Sequence, residues 1–192
     1  MPARALPSSI PLDPGMNAVL RVIQLEDVPE FFKLIQAHRT YFAQYDTYIN
    51  TDLGTLQQVA IEIEAVLERL AAGTSLTHGI WVQGRLVGRF GVRLEPDTRR
   101  AQFSYVLAPL WQGFGLVTRA GETLMRHLFT ELGYREIRAL CEPDNVPSIA
   151  VARRLGLTYD GQPLVELESP PGDVRRLIRY AITAEQWRQR HP

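Results

Sequence analysis

A single cysteine, Cys141, excludes any disulfide within the 192-residue chain and fits a reducing cytoplasm. No apolar run approaches the length of a membrane span, and the first residues lack the charged-then-apolar pattern of a signal peptide. Net charge is missing too: 21 basic residues meet 21 acidic ones, which argues against a broad nucleic-acid-binding face while leaving room for a local basic pocket. The four histidines, His38, His78, His127 and His191, show no metal-ligand spacing, and no Gly-x-Ser-x-Gly elbow is present. Metal chemistry and serine hydrolysis are therefore not supported. Two phosphate-binding signatures are also absent. Gly-Lys-Ser/Thr occurs nowhere, and Thr118 stands where a dinucleotide fingerprint needs its third glycine.

What remains is an ordinary globular composition, 45% hydrophobic and 22% charged, long enough for one sizeable core. Residues 1–16 hold four prolines without periodicity and read as a flexible leader, with Met16 as an alternative start; residues 17–192 read as one domain. Ala18 to Ile23 alternates as a strand. A helix follows with Phe31, Phe32, Leu34 and Ile35 on its apolar face, and Asp27 with Glu30 predicts its capping box. A second helix spans about Thr55 to Ala72 and stops at Gly73, and Ile80 to Val92 reads as a hairpin turning at Gln83-Gly84-Arg85. Further strands are expected at 101–107, 136–141 and 177–182, with a short helix from Ser148 to Leu155. The order is mixed α/β with a largely antiparallel N-terminal part.

One stretch organises the rest. Ala101 to Leu107 is an aromatic and β-branched strand stopped by Ala108-Pro109. Leu116, Ala120, Leu124, Leu128 and Leu132 then recur at helical spacing as far as Gly133. Gly113 and Gly115 thus sit at a strand-to-helix junction, where unpaired backbone N–H groups and the helix dipole suit an anion, a phosphate above all. A tight turn without a ligand would look the same from these letters alone.

Around it, Gln112-Gly113-Phe114-Gly115-Leu116-Val117 resembles the acetyl-CoA loop, Gln/Arg-x-x-Gly-x-Gly/Ala, of the GCN5-related N-acetyltransferases (GNAT). Asn145-Val146-Pro147-Ser148, followed by Leu155-Gly156-Leu157, resembles that family's Asn-x-x-Ser…Leu-Gly-Phe segment. The branch most resembled is that of the ribosomal-protein alanine and serine N-acetyltransferases. The likeness is close from Gln102 to Gly161, looser from Leu20 to Val92 and absent before Asn17. It implies a GNAT-like α/β (α+β) fold, with a mostly antiparallel central sheet that splays open at the cofactor site and is flanked by helices.

The resemblance also implies roles. Backbone groups of Gln112, Gly113, Phe114, Gly115, Leu116, Val117 and Thr118 would hold the pyrophosphate of acetyl-CoA. Val117, standing where the family has Gly or Ala, is a departure that could crowd the phosphate. Unpaired backbone of Val106 and Leu107 would face the pantetheine and the thioester carbonyl. Asn145 would bond the pantetheine from the opposite wall, or serve as an ordinary turn residue. Ser148 would protonate the departing thiolate, or cap its helix. Arg119, Arg153 and Arg154 could reach the 3′-phosphate, or form a solvated face.

The general base is less defined. Gln102 stands where many relatives carry Glu, leaving Glu166 and Glu168, which share one face of a strand, as candidate bases or as solvent-facing carboxylates. An α-amine of pKa about 8 is partly neutral at pH 7 whereas lysine, near about 10.4, is not, so an N-terminal acceptor needs least help. His38, Tyr41, Tyr45 and Tyr48 would line the acceptor wall, or pack a loop. Cys141 reads as a buried structural thiol. The expectation is a cytoplasmic N-acetyltransferase, monomeric or dimeric, acting directly on a protein N-terminus without nucleic acid or membrane. The same chemistry on a small-molecule amine and a non-catalytic acyl-CoA-binding module are the alternatives.

Overall fold

A computed structural model describes residues 7–45, 53–162, 164–168 and 174–191. Its elements run β1 (Ser9–Asp13), β2 (Ala18–Val22), α1 (Val28–Phe42), α2 (Leu56–Ala71), β3 (Ser75–Val82), β4 (Arg85–Glu95) and β5 (Arg100–Leu107). After these come α3 (Leu116–Thr130), β6 (Glu136–Cys141), α4 (Val146–Arg154), β7 (Thr158–Tyr159), β8 (Val165–Glu168), β9 (Val174–Thr183) and α5 (Ala184–Arg190). Among the described residues the strand order is β1-β2-β3-β4-β5-β6-β9-β7, with β8 paired to β9. The β5–β6 pair is parallel and the other described pairs are antiparallel. Parallel neighbours need a crossover, which α3 supplies.

Local chemistry explains the elements. The β3–β4 hairpin turns through Gln83 and Gly84, both at positive φ (50° and 77°), as a two-residue type I′ turn requires. Thr55 and Gln58 form a reciprocal capping box at the start of α2. On α3, Leu116, Ala120, Leu124 and Leu128 are fully buried in a core that also holds Phe90, Phe103 and Ile137 from the sheet. Each such leucine contributes about 1.5–3 kcal/mol of transfer free energy. The opposite face of the sheet carries a second cluster, in which Phe31, Ile35, Val59 and Ile63 of α1 and α2 pack on Trp81 and Leu86. Helices thus cover both faces.

Two expectations change. The leader is not unstructured throughout: Ser9–Asp13 forms β1, paired with β2, because Ile10 and Leu12 give it apolar side chains to set against the core. Residues 1–6 lie outside the described residues. Asp27 does not cap α1 through its side chain. Its carboxylate receives both guanidinium nitrogens of Arg21 (2.7 and 2.8 Å) and the Gln24 N–H (2.9 Å), while Glu30 pairs with Lys33. The charged partner on β2 outcompetes the local cap.

Candidate active site

The site begins where β5 and β6 part. They pair in register from Arg100 and Glu136 to Phe103 and Ala139 and no further, although β5 runs on to Leu107 and stays paired to β4. The bond from the Ala108 N–H to the Val87 carbonyl (2.8 Å) sets the phase of that antiparallel ladder. Val106 then exchanges its backbone bonds with Arg89, while the N–H and C=O groups of Tyr105 and Leu107 face the gap. The expected pair of exposed backbone positions, Val106 and Leu107, is corrected to Tyr105 and Leu107, because alternate residues of a strand point their amides to opposite sides.

The gap opens into a cavity of about 670 Å³ walled by the end of β5, the start of α3, Asn145, Ser148 and Arg154. Gly113 (φ 82°) and Gly115 (φ 74°) both adopt left-handed backbone, and Gly115 is the residue on which the 15-residue α3 starts. A Cβ at Gly113 would meet no protein atom within 4 Å. The loop's shape therefore needs glycine, and its open side faces outward. Val117 lines the cavity, is 6% exposed and packs in the core with the other buried residues of α3, and the helix starts at Leu116. Gln112, Gly113, Gly115, Leu116, Val117, Thr118 and Arg119 all reach the cavity wall. Phe114 does not, its side chain being half exposed beside Trp111.

Side chains brace this loop. The Gln112 amide Nε2 donates to the Tyr41 hydroxyl (2.6 Å) and to the Leu107 carbonyl (3.3 Å), joining α1, β5 and the loop. Arg119 donates to the Phe114 carbonyl (3.0 Å) and pairs with Asp13. It thus braces the loop while lining the cavity, and Arg154, whose Nη1 donates to Thr118 Oγ1 (3.3 Å), lines the same cavity. Arg153 is not part of that wall.

Asn145 caps α4, accepting the Ser148 N–H at Oδ1 (3.1 Å), so the helix starts earlier than expected and Ser148 is not its cap. Ser148 stands one turn in, on the walls of both this cavity and a second one of about 360 Å³. The two cavities also share Tyr45, Tyr105, Val106 and Asn145. Tyr105 donates to the Ser148 carbonyl (3.3 Å), and burial raises its hydroxyl above the ordinary tyrosine range, which keeps it protonated.

The second cavity is lined by Arg89, Gln102, Ser104, Cys141, Glu142 and Arg175 among others. Gln102 accepts from Arg93 (3.2 Å), and Arg175 bridges Glu142 (2.7 Å) and the Gln44 carbonyl (3.1 Å). Burial pushes the Cys141 thiol up to about 11, consistent with a structural role.

Several expected acceptor and base residues fall elsewhere. Glu166 is exposed, paired with Arg176 (3.3 Å), and lines neither cavity; the alternation of β8 turns its neighbour Leu167 to the cavity instead. Glu168 pairs in register with Val174 at the end of the described part of β8. His38 sits at a break in α1 (φ −128°, ψ 16°) and packs on Phe42 rather than on a cavity. Tyr41 and Tyr45 do reach the cavity wall, and Tyr48 lies outside the described residues. Sequence reading missed Tyr105, Arg89, Glu142 and Arg175. The strand alternation of 101–107 held the signal for Tyr105; the others depend on pairing across the sheet.

Among the described residues, no three His, Cys, Asp or Glu side chains gather as a metal site, and no helix is long and apolar enough to cross a membrane. A profile of the acetyltransferase (GNAT) domain matches residues 17–158. Spermidine N(1)-acetyltransferase of Escherichia coli K12 is 32% identical over 93 residues, which is 48% of this chain and 50% of that protein. The chain thus spans about half the length of the curated relatives it first matches. Among solved structures, the microcin C7 self-immunity acetyltransferase MccE, in complex with acetyl-CoA and AMP, superposes with TM-score 0.83 at 21% identity, covering 93% of this chain and 97% of that one. RimL, the ribosomal L7/L12 α-N-protein acetyltransferase in complex with coenzyme A, superposes with TM-score 0.80 at 21% identity, covering 93% and 99%. These likenesses establish the fold, including the mixed sheet expected from the sequence.

Proposed function

The chain belongs to the acetyltransferase (GNAT) domain family, and on that footing we propose that it transfers an acetyl group from acetyl-CoA to a primary amine, a protein N-terminal α-amine in the first instance. The observation that carries this reading is the coincidence of two openings. The gap between β5 and β6 and the two-glycine start of α3 face one cavity. An elongated ligand with a phosphate and a thioester arm has a place for each.

The residues present fit acetyl-CoA. Positive φ at Gly113 and Gly115 and the N-terminus of α3 suit a pyrophosphate, and Arg154 suits a further phosphate. When bound, acetyl-CoA supplies the acyl group as a thioester. Backbone N–H groups of Tyr105 and Leu107 are oriented to receive pantetheine and the charge that develops on the carbonyl oxygen, a contribution of about 3 kcal/mol when such a donor is well placed. Asn145 fixes the first turn of α4 and thereby Ser148, whose hydroxyl would pass a proton to the departing sulfur and take up the one that the attacking nitrogen releases, so that amine and thioester give amide and thiol.

The amine enters from the second cavity, past Tyr45, and meets the acyl group where the two cavities join at Tyr105 and Ser148. Transfer is direct, in a ternary complex, since no activated nucleophile is found among the described residues that line the cavities. Glu166 takes no part, and an α-amine is neutral often enough at pH 7 to react without a base. A small-molecule amine is the second reading, favoured by the relative that acts on spermidine. The reading invokes neither nucleic acid nor membrane, and it takes the chain as one cytoplasmic domain, monomeric or homodimeric.

The test is calorimetric titration of acetyl-CoA followed by thiol release with N-terminal peptides. One-to-one binding with release supports the reading; no heat at millimolar cofactor overturns it.

A further inference from the structure

The second cavity carries a guanidinium that the fold does not use up. Arg89 lines it, its side chain is only 16% exposed, and its Nε is buried without a hydrogen-bond partner among the described residues. Its ion-pair contact, with Glu62, is a loose 3.9 Å, and Glu62 is held more closely by Arg69 at 3.0 Å. A buried guanidinium is costly unless its N–H groups are met, and its planar fork matches a carboxylate or phosphate. Arg175 stands on the same wall, paired with Glu142. Each guanidinium on this wall has a carboxylate partner, Glu62 for Arg89 and Glu142 for Arg175, and the looser of the two pairs, that of Arg89, leaves its fork to an acceptor with negative charge of its own.

We propose that the acceptor carries, close to its amine, a carboxylate or phosphate group that Arg89 holds. The inference rests on the acetyltransferase reading for the amine but not for the anion. Val106 pairs with Arg89 across β4 and β5 and lines both cavities, so an anion seated on Arg89 lies beside the strand whose far edge receives the thioester. Arg89 would then set which amine reaches the acyl group, acting as a specificity residue on the substrate itself.

Two measurements on the full chain test this. In the first, coenzyme A is kept saturating and ionic strength constant, and glutarate or inorganic phosphate is titrated while thermal unfolding is followed. Wild type is stabilised by the dianion, and Arg89→Met binds it about tenfold to a hundredfold more weakly, as loss of a charged hydrogen-bond donor entails. Arg89→Lys, which keeps the charge but loses the fork, falls between and guards against a misfolded Met variant.

In the second, acetyl transfer is compared on Ser-led peptides differing only at the next two positions: Glu-Asp, phosphoserine, Gln-Asn or Lys-Arg, with spermidine alongside. Wild type prefers the acidic or phosphorylated peptides by about tenfold or more over the neutral one, and the two anionic arms identify which group is read. Equal rates on neutral and acidic peptides, or a preference for spermidine, overturn the inference while leaving acetyl transfer intact. Arg89-dependent anion binding with no transfer to any amine sinks the acetyltransferase reading and leaves the anion site standing.

Discussion

The Asp13 carboxylate lies 2.9 Å from Nη1 of Arg119, and that same nitrogen donates to the Phe114 carbonyl at 3.0 Å. A segment that precedes the family match at residue 17 thus reaches the loop between β5 and α3 and steadies it. Because Arg119 is 43% exposed, solvent screens most of the Coulomb attraction, and the pair is worth at most about 1 kcal/mol. Asp13→Asn should therefore weaken acetyl-CoA binding by about two- to fivefold. Titration at low and high salt checks it: the difference between variant and wild type should shrink as salt rises. An unchanged affinity at low salt would dissociate the brace from the cofactor loop.

Gly113 separates backbone strain from ligand exclusion. At φ 82° an alanine costs about 1–2 kcal/mol of stability, yet its Cβ would touch nothing in the protein. On the proposed reading, in which the cofactor's phosphate binds this loop, that methyl group would occupy the ligand's space. Gly113→Ala should lower stability modestly and cofactor affinity by more than tenfold. Gly133→Ala, also at positive φ (67°) and also clear of neighbours, serves as the control, with a similar stability loss and no change in binding.

The sequence carried the α3 stripe, the two-glycine junction and the β3–β4 turn because each depends on residues within a few positions of one another. Leu116, Ala120, Leu124 and Leu128 needed only helical spacing. Asp27 was misread because its partner, Arg21, lies on a neighbouring strand and a local cap looked sufficient. Val106 was misread for a subtler reason: which amides of a strand face a gap depends on ladder phase, and phase is set by the opposite strand through Val87. Arg89 meets Glu62 only once β4 and α2 have packed, so no run of letters announces the cavity that Arg89 lines. Alternation puts Glu166 and Glu168 on one face, but only the tertiary packing of β8 decides that Glu166 is exposed and Leu167 meets the cavity.

Ser148 and Asn145 make distinct contributions that kinetics and stability should separate. Asn145 caps α4 through the Ser148 N–H, so Asn145→Ala should cost about 1 kcal/mol of stability and also slow transfer by loosening Ser148. Ser148→Ala leaves that backbone bond in place. Its expected effect is a drop in turnover of about tenfold to a hundredfold with little change in melting temperature or KM, since a thiol of pKa about 8.5 leaves tolerably without an acid. The loss should be smaller at high pH. A Ser148→Ala enzyme with wild-type turnover across pH would remove the hydroxyl from the chemistry.

His78 governs acid stability through a different route. It is 1% exposed, neither ring nitrogen has a hydrogen-bond partner among the described residues, and burial lowers its pKa from 6.5 to about 4, with His127 adding to the effect. Above pH 6.5 both folded and unfolded chains hold it neutral, and nothing is lost. As pH falls from 6.5 towards 4 the unfolded chain takes up a proton that the folded chain refuses, so stability declines by an amount on the order of 3 kcal/mol. His127, whose pKa burial also lowers, acts in the same direction. His78→Leu removes the titrating group and two unmet polar atoms at similar volume. The variant should be as stable as wild type at pH 7.5 and more stable at pH 4.5, which urea denaturation at the two pH values measures. Parallel losses in both proteins would assign the acid sensitivity to other groups and show that His78 finds a proton partner in the folded state.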